Sequence, residues 1–244
     1  MSTISLPKNC KSSKAGSRRP CKISAATSAR TCRTWTGTAV VVDVLRSSTT
    51  LCALLASGKK KIRVFGDKKA ALAAKTPRDE FFSELDYPPS FRRFDNSPWQ
   101  ALNKSDKKRP AIVVTGAGTK AQLSLKKASR VLAACFSNFP VAVEYIKGLE
   151  GKVLVVPAAL FNEYHVEDYL CAEAIVKAAK GERNAAQRAI KRFMATKRPA
   201  EFLDIRKENG KNDMALGLDL NALPVIPEIK IKNGWGEVSD ALKN

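Results

Sequence analysis

The chain has 244 residues, 44% of them hydrophobic, enough for one substantial core and short for two large domains. No run approaches the roughly 18 consecutive apolar residues of a membrane-spanning helix, which argues against an integral membrane protein. The net charge of +20 would attract polyanions; residues 1–36 supply eight of those charges without an acid and the rest are scattered, which weighs against a single basic groove and against nucleic acid as the partner.

Residues 1–36 are rich in Ser, Thr, Lys and Arg and poor in large apolar groups, so they cannot bury enough surface to offset their ordering entropy. A flexible basic extension is expected there, with an organellar transit segment as the alternative to a cytoplasmic protein. Residues 37–244 are expected to form a single α/β domain. Short β-branched runs at 39–45 (AVVVDVL), 61–65 (KIRVF), 111–114 (AIVV), 130–136 (RVLAACF) and 152–157 (KVLVVP) suit strands covered on both faces. Between them TTLCALLASG, DKKAALAAK, KAQLSLKKA and PVAVEYIKGLEG read as helices, followed by a longer one over Glu167–Lys180. This order predicts three layers, α/β/α, around a largely parallel or mixed sheet. Residues 76–110 and 201–232 break the rhythm. The aromatics Phe81, Phe82, Phe91, Phe94 and Trp99 make the first an ordered excursion over the sheet. Six cysteines without a CxxC pair or a Cys–His spacing weigh against a thiolate metal cage and fit a reducing compartment.

The string DVLRSSTT carries the most information. Asp43 near the end of a buried strand is costly unless paired or bound to a metal. Arg46 and the hydroxyls of Ser47, Ser48, Thr49 and Thr50 then open a helix, a setting suited to a phosphate or sulfonate oxygen. The bland alternative is an internal Asp43–Arg46 ion pair and an ordinary cap. In TGAGTKA, Gly116 and Gly118 allow a tight turn while Thr115, Thr119 and Lys120 add donors; a plain strand-to-helix turn is the alternative. Ser137 and Asn138 suit a helix cap, and Glu167-Asp168 suit either a helix N-terminus or Mg²⁺. His165, the only histidine, reads as a surface or capping residue, and the basic stretch Arg183–Arg198 as a solvated helix face. Asp43 and Arg46, Thr115–Lys120, Ser137 and Asn138, and the segment after Val156 all follow the carboxyl ends of predicted strands, and in open α/β sheets ligands bind at that edge.

Five strings in order give the chain a resemblance. AVVVDVLRSSTT, FDNSP (94–98), ACFSNFPVAVEYI, VEDYLCAE and LPVIPEI are similar to motifs of the Mg²⁺-dependent 2-phosphosulfolactate phosphatases of coenzyme M biosynthesis, over about Gly37 to Ile229. The resemblance implies hydrolysis of a small anionic phosphorylated substrate, with Asp43 and Arg46 in catalytic roles. Arg46 and Lys120 would grip anionic groups. Asp43, Glu167 and Asp168 would hold Mg²⁺ or activate the nucleophile. Ser47, Ser48, Thr49, Glu84, Asn96, Ser97, Thr115, Gly118, Thr119 and Asn138 would contact or position the substrate. The chain departs from the family pattern where Thr-Thr-Asn-Gly-Thr-Arg becomes Thr115-Gly116-Ala117-Gly118-Thr119-Lys120, which exchanges a planar fork for a point charge. Gly-Glu-Arg survives as Ser83-Glu84-Leu85, and no strand is recognisable before Gly37. A catalytically silent anion-binding homologue and a basic nucleic-acid-binding protein are the competing expectations. The oligomeric state is left open.

Overall fold

The computed structural model describes residues 21–85, 92–162 and 164–243. Residues 1–20 of the expected extension, and Phe91, lie outside that set. The rest of the expected extension is built into the fold. Strand β1 (Lys22–Ala25) pairs in parallel with β8 (Lys152–Pro157), and Ser28 caps helix α1 (Ala29–Thr34) by accepting the Thr31 N–H. The edge strand β1 has no fully buried side chain, and between it and β2 only Ala26 and Cys32 are buried, so the composition of this segment resembles that of a tail. The boundary placed at residue 36 is thereby corrected to at least Cys21.

The five predicted strands are present as β2 (Thr38–Val42), β3 (Ile62–Phe65), β6 (Ala111–Val114), β7 (Arg130–Ala134) and β8. Helices α2 (Ser47–Ala56), α3 (Lys68–Ala73), α5 (Gly118–Ser124), α6 (Phe139–Lys147) and α7 (Val166–Ala179) alternate with them. Strand β2 is buried on both faces. Ala39 and Val41 join a core with Leu51, Leu54 and Ala121 of α2 and α5, while Val40 and Val42 join one with Ile146, Ile175 and Phe193. Alternate residues of one strand thus feed two cores, the requirement for three layers. Each fully buried leucine or phenylalanine adds about 1.5–3 kcal/mol.

The described parts of both irregular regions are structured. In 76–110, β4 (Glu80–Phe82) and β5 (Arg93–Phe94) extend the sheet at its edge instead of crossing over it, and Ser97 caps α4 (Pro98–Asn103). Phe82 enters the α2/α5 core and Phe81 the opposite one with Ala71 of α3, so the aromatic pair serves a strand. In the basic stretch and beyond, α8 (Ala185–Met194), α9 (Arg198–Ile205) and α10 (Gly210–Leu218) precede a hairpin of β9 (Pro227–Ile231) and β10 (Trp235–Asp240).

Among the described residues the strands form one mixed sheet, ordered β1-β8-β2-β7-β9-β10-β3-β6-β4-β5. Strands β1, β8, β2 and β7 are mutually parallel, as are β3, β6, β4 and β5. The hairpin pairs antiparallel to both blocks, which sets the two blocks in opposite directions. The single carboxyl edge expected from the sequence is therefore replaced by two. Sheet twist of about 20–25° per step accumulates to about 100–125° over the five steps from β2 to β6. That rotation turns the two carboxyl ends toward each other on the face that carries α2 and α5.

Candidate active site

A cavity of about 380 Å³ opens where the ends of β2, β4 and β6 meet α9. Its wall includes Asp43, Arg46, Glu84, Asn96 and Thr115 among the residues singled out in the sequence, and Asn162, His165, Arg198, Phe202 and Arg206 besides.

Asp43 forms the floor. Its Oδ1 accepts the Ser47 N–H at 2.9 Å, and its Oδ2 lies against Gly118, where a Cβ would approach to 2.5 Å, and to 2.4 Å of Ser47 Cβ. Glycine is required at 118 because α5 could not otherwise pack on α2 at this depth. Burial raises the Asp43 carboxyl to about 7, the nearby charges of Glu84 and Glu167 reinforce that rise, and the Ser47 N–H and Arg46 only partly oppose it. Glu84, following β4, accepts the Gly116 N–H on Oε1 at 2.6 Å, and its Oε2 is buried without a partner. Asn96 Oδ1 is a second buried acceptor without one.

Arg46 does not pair with Asp43. Its guanidinium donates to both oxygens of Asp95, at 2.5 and 2.8 Å, and to Asp213 at 2.9 Å, while its own side chain is almost fully buried. Burial pushes the Asp95 carboxyl up, but the Arg46 hydrogen bonds and charge outweigh it and hold it below the usual range. In the drier Asp213 burial prevails over Ser97 and Arg46 and the carboxyl is raised. The sequence-based grip on substrate thus becomes a clamp that ties the start of α2 to α4 and α10.

The hydroxyl run is inward-facing. Ser48 Oγ donates to Val41 O and accepts the Asp43 N–H, and Thr49 Oγ1 donates to Val44 O at 2.7 Å; Ser47 Oγ is buried with no partner. Ser97 accepts the Gln100 N–H and donates to Asp213 at 2.6 Å. Thr115 and Thr119 bond each other around the glycine turn. Asn138 accepts the Cys135 N–H and donates to Val225 O, both at 2.9 Å. Asp168 accepts the N–H groups of Val44 and Ala159, at 2.9 and 3.2 Å, so both its oxygens latch strand ends together. Glu167 is fully buried against Arg198 Nε at 3.1 Å. Lys120 is exposed and outside the cavity wall. Of these residues only Thr115 forms part of that wall; Ser47, Ser48, Thr49, Ser97, Gly118, Thr119, Asn138, Glu167 and Asp168 do not.

The cations at the mouth come from elsewhere. Arg198 and Arg206 flank α9, and Arg206 lies 3.9 Å from Asp95; burial and the neighbouring Arg46 lower its pKa. Arg198 stood in the sequence as one of several basic residues on a helix face, and Arg206 in a segment without a pattern. Asp95 lay inside FDNSP but was given no role of its own, and Asp213 carried no signal. His165, expected at a cap or on the surface, lies in the wall at the N-cap of α7.

Whether a divalent cation suits this floor is a question of donors. Among the described residues no cluster of three or more His, Cys, Asp or Glu forms a metal cage. Mg²⁺, however, characteristically uses one or two carboxylates and keeps several waters. Asp43 and Glu84, with the partnerless Oε2 of Glu84 and Oδ1 of Asn96, provide such a donor set. Glu167 and Asp168 do not, since their oxygens are already engaged.

The cavity joins an acidic floor to an arginine-bearing mouth, and comparison with known proteins shows the family. A family model described as 2-phosphosulpholactate phosphatase matches residues 24–230. A protein of Thermoplasma volcanium named "Probable 2-phosphosulfolactate phosphatase" is 27% identical over 197 residues, 80% of this chain and 90% of that protein. Proteins of the same name from Symbiobacterium thermophilum, 32% identical over 149 residues (59% and 64%), and Thermotoga maritima, 27% over 185 residues (75% and 81%), are also similar. The match begins inside β1 and ends inside β9, so it spans both half-sheets and every wall of the cavity, and on that coverage the chain belongs to the 2-phosphosulpholactate phosphatase family of phosphoric monoester hydrolases.

Proposed function

We propose that the cavity hydrolyses the phosphate ester of a small, multiply anionic hydroxy acid, 2-phosphosulfolactate or a close analogue, to sulfolactate and phosphate. The observation that carries this reading is the facing of two carboxylates, Asp43 and Glu84, by Arg198 and Arg206 across one cavity of about 380 Å³, a size suited to a small ligand.

Asp43 and Glu84 are the residues that would hold Mg²⁺. When bound, that ion neutralises charge on the phosphoryl oxygens as the ester oxygen leaves. The chain's own contribution is placement. Arg206 and the terminal nitrogens of Arg198 attract carboxylate, sulfonate or phosphate oxygens, Arg198 being fixed by Glu167 through Nε. Asn96 orients the ester, and Phe202 narrows the apolar side of the cavity. Hydrolysis forms a P–O bond to water and breaks the one to the substrate's 2-oxygen, with the water's proton passing to that leaving oxygen. The Arg46 clamp holds the end of β2 and the start of α2 in register beneath.

Phosphate release from 2-phosphosulfolactate should require Mg²⁺, disappear with a chelator and return on adding the metal back. Folded protein that releases no phosphate with Mg²⁺ present would defeat the proposal. Glu84→Gln should reduce kcat by about 10²-fold or more and weaken Mg²⁺ binding measured calorimetrically without substrate.

A further inference from the structure

At the end of β6 opposite Thr115, the segments entering β3 and β6 and the turn before β4 enclose a second, larger cavity of about 680 Å³. Six cations line it, Lys60, Lys61, Arg78, Lys107, Lys108 and Arg109, and no acid or aromatic residue does. Of the nearby carboxylates, the exposed Asp106 accepts the Lys108 N–H at 2.9 Å, and two others are engaged away from the cavity. Glu80 accepts from Lys59, Arg92 and Ser105 at 2.9, 2.6 and 2.8 Å, and Asp79 accepts from Arg63 at 2.8 Å and from Thr76. Among the described residues none of the six cations has an ion-pair partner.

The frame around these charges is rigid. The buried Lys59 ammonium donates to the carbonyls of Asp106 and Arg109, both at 2.8 Å, and Arg109 Nη2 donates to Pro77 O at 2.9 Å. Three chain segments are thereby pinned together before any ligand arrives, which lowers the entropic cost of binding. The Nε–H of Arg109 is buried there without a partner. Like charges gathered around one cavity repel, and an anion of several charges relieves that repulsion where a single phosphate relieves little of it. The lack of an aromatic removes the stacking that single-stranded nucleic acid uses, and the cavity is of small-ligand size.

We propose that this cavity binds a small polyphosphorylated molecule, one with at least three phosphate groups, at a site separate from the catalytic pocket. About 13 Å of strand, the length of β6, stands between the two.

Calorimetric titration of the full chain in metal-free buffer tests this without recourse to catalysis. The probes are inorganic tripolyphosphate and ATP, to separate a bare phosphate chain from a nucleotide, with an oligouridine as the nucleic-acid arm. Saturable 1:1 binding of tripolyphosphate or ATP is expected. It should weaken at least about tenfold in Lys61→Ala/Lys107→Ala/Lys108→Ala, about 1.4 kcal/mol, and persist in Arg206→Ala. Should the triple variant fail to fold, Lys107→Gln/Lys108→Gln keeps polar, solvated side chains without the charge and should weaken binding in the same direction. Unchanged binding in the folded groove variants, loss in Arg206→Ala, no saturable binding at all, or tighter binding of the oligouridine through the same lysines would each overturn the proposal.

Discussion

Replacing Arg46 with methionine distinguishes a clamp from a substrate grip. The guanidinium makes three charge-assisted bonds to Asp95 and Asp213, whose side chains are 27% and 0% exposed. Removing one partner of a buried ion pair leaves the other charge unsatisfied, which costs about 3–5 kcal/mol. For a chain of this size that lowers Tm by roughly 10 °C at pH 7. Asp95 is held below its ordinary range in the intact protein, so the stability it contributes is present above the unfolded carboxylate pKa and lost as pH falls through the folded one. In the variant the abandoned carboxylates favour protonation, and the gap to the wild type should close as the pH falls toward 4. Adding Asp213→Asn to the variant should recover about 1–3 kcal/mol, since a neutral amide is left where a dry carboxylate was. Thermal unfolding of the three proteins across pH 4–8 measures all of this. A Tm change under about 2 °C combined with a large rise in KM would refute the clamp and restore Arg46 as a substrate ligand.

Gly118→Ala should destabilise by about 1–3 kcal/mol through overpacking, because its Cβ would fall 2.4–2.5 Å from Ser47 and Asp43; denaturant unfolding reads it. Asp43→Asn removes an acid whose folded pKa is raised to about 7. Ionising that acid opposes folding progressively from about pH 4 to 7, so in metal-free buffer the variant should gain up to about 4 kcal/mol over wild type at pH 8 and nothing at pH 4, while losing phosphatase activity; an equal gain at both pH values contradicts the assignment. Asp168→Asn should cost about 1–3 kcal/mol by setting an amide N–H against the N–H of Val44 or Ala159, with calorimetric Mg²⁺ affinity unchanged. Arg206→Ala should raise KM about tenfold or more, whereas Lys120→Ala, on the exposed side of α5, should leave KM within about twofold; steady-state kinetics on 2-phosphosulfolactate separates them.

The strands and helices of the central layers were legible because β-branched runs such as 39–45 and 152–157 have no comfortable solvent-exposed arrangement. The end of β2 as a site wall was legible for a related reason: a carboxylate at Asp43 makes no sense in a dry strand without a task. What escaped depended on distance in sequence. Asp213 meets Arg46 across 167 positions, and Arg206 reaches the cavity from a helix whose pattern is obscured by charges and Pro199. The hydroxyl run looked like ligand chemistry because Ser and Thr satisfy buried backbone groups with the same atoms they would offer a phosphate. The basic cavity escaped because its six cations come from three separated segments, each of which alone resembles ordinary surface.

The hairpin of β9 and β10 occupies the middle of the sheet, and this bears on how the protein comes into being on the ribosome. Among the described residues the block β1-β8-β2-β7 and the block β3-β6-β4-β5 make no strand pairing with each other except through residues 227–240. During synthesis both blocks therefore wait with an unpaired inner edge, each exposing a row of backbone donors and acceptors open to pairing with other chains. The cavity floor draws Asp43 from one block and Glu84 from the other. A nascent chain halted before residue 227 would hold all its cavity-lining side chains while lacking the part that brings them face to face, and a chaperone that shields strand edges would be most needed in that interval.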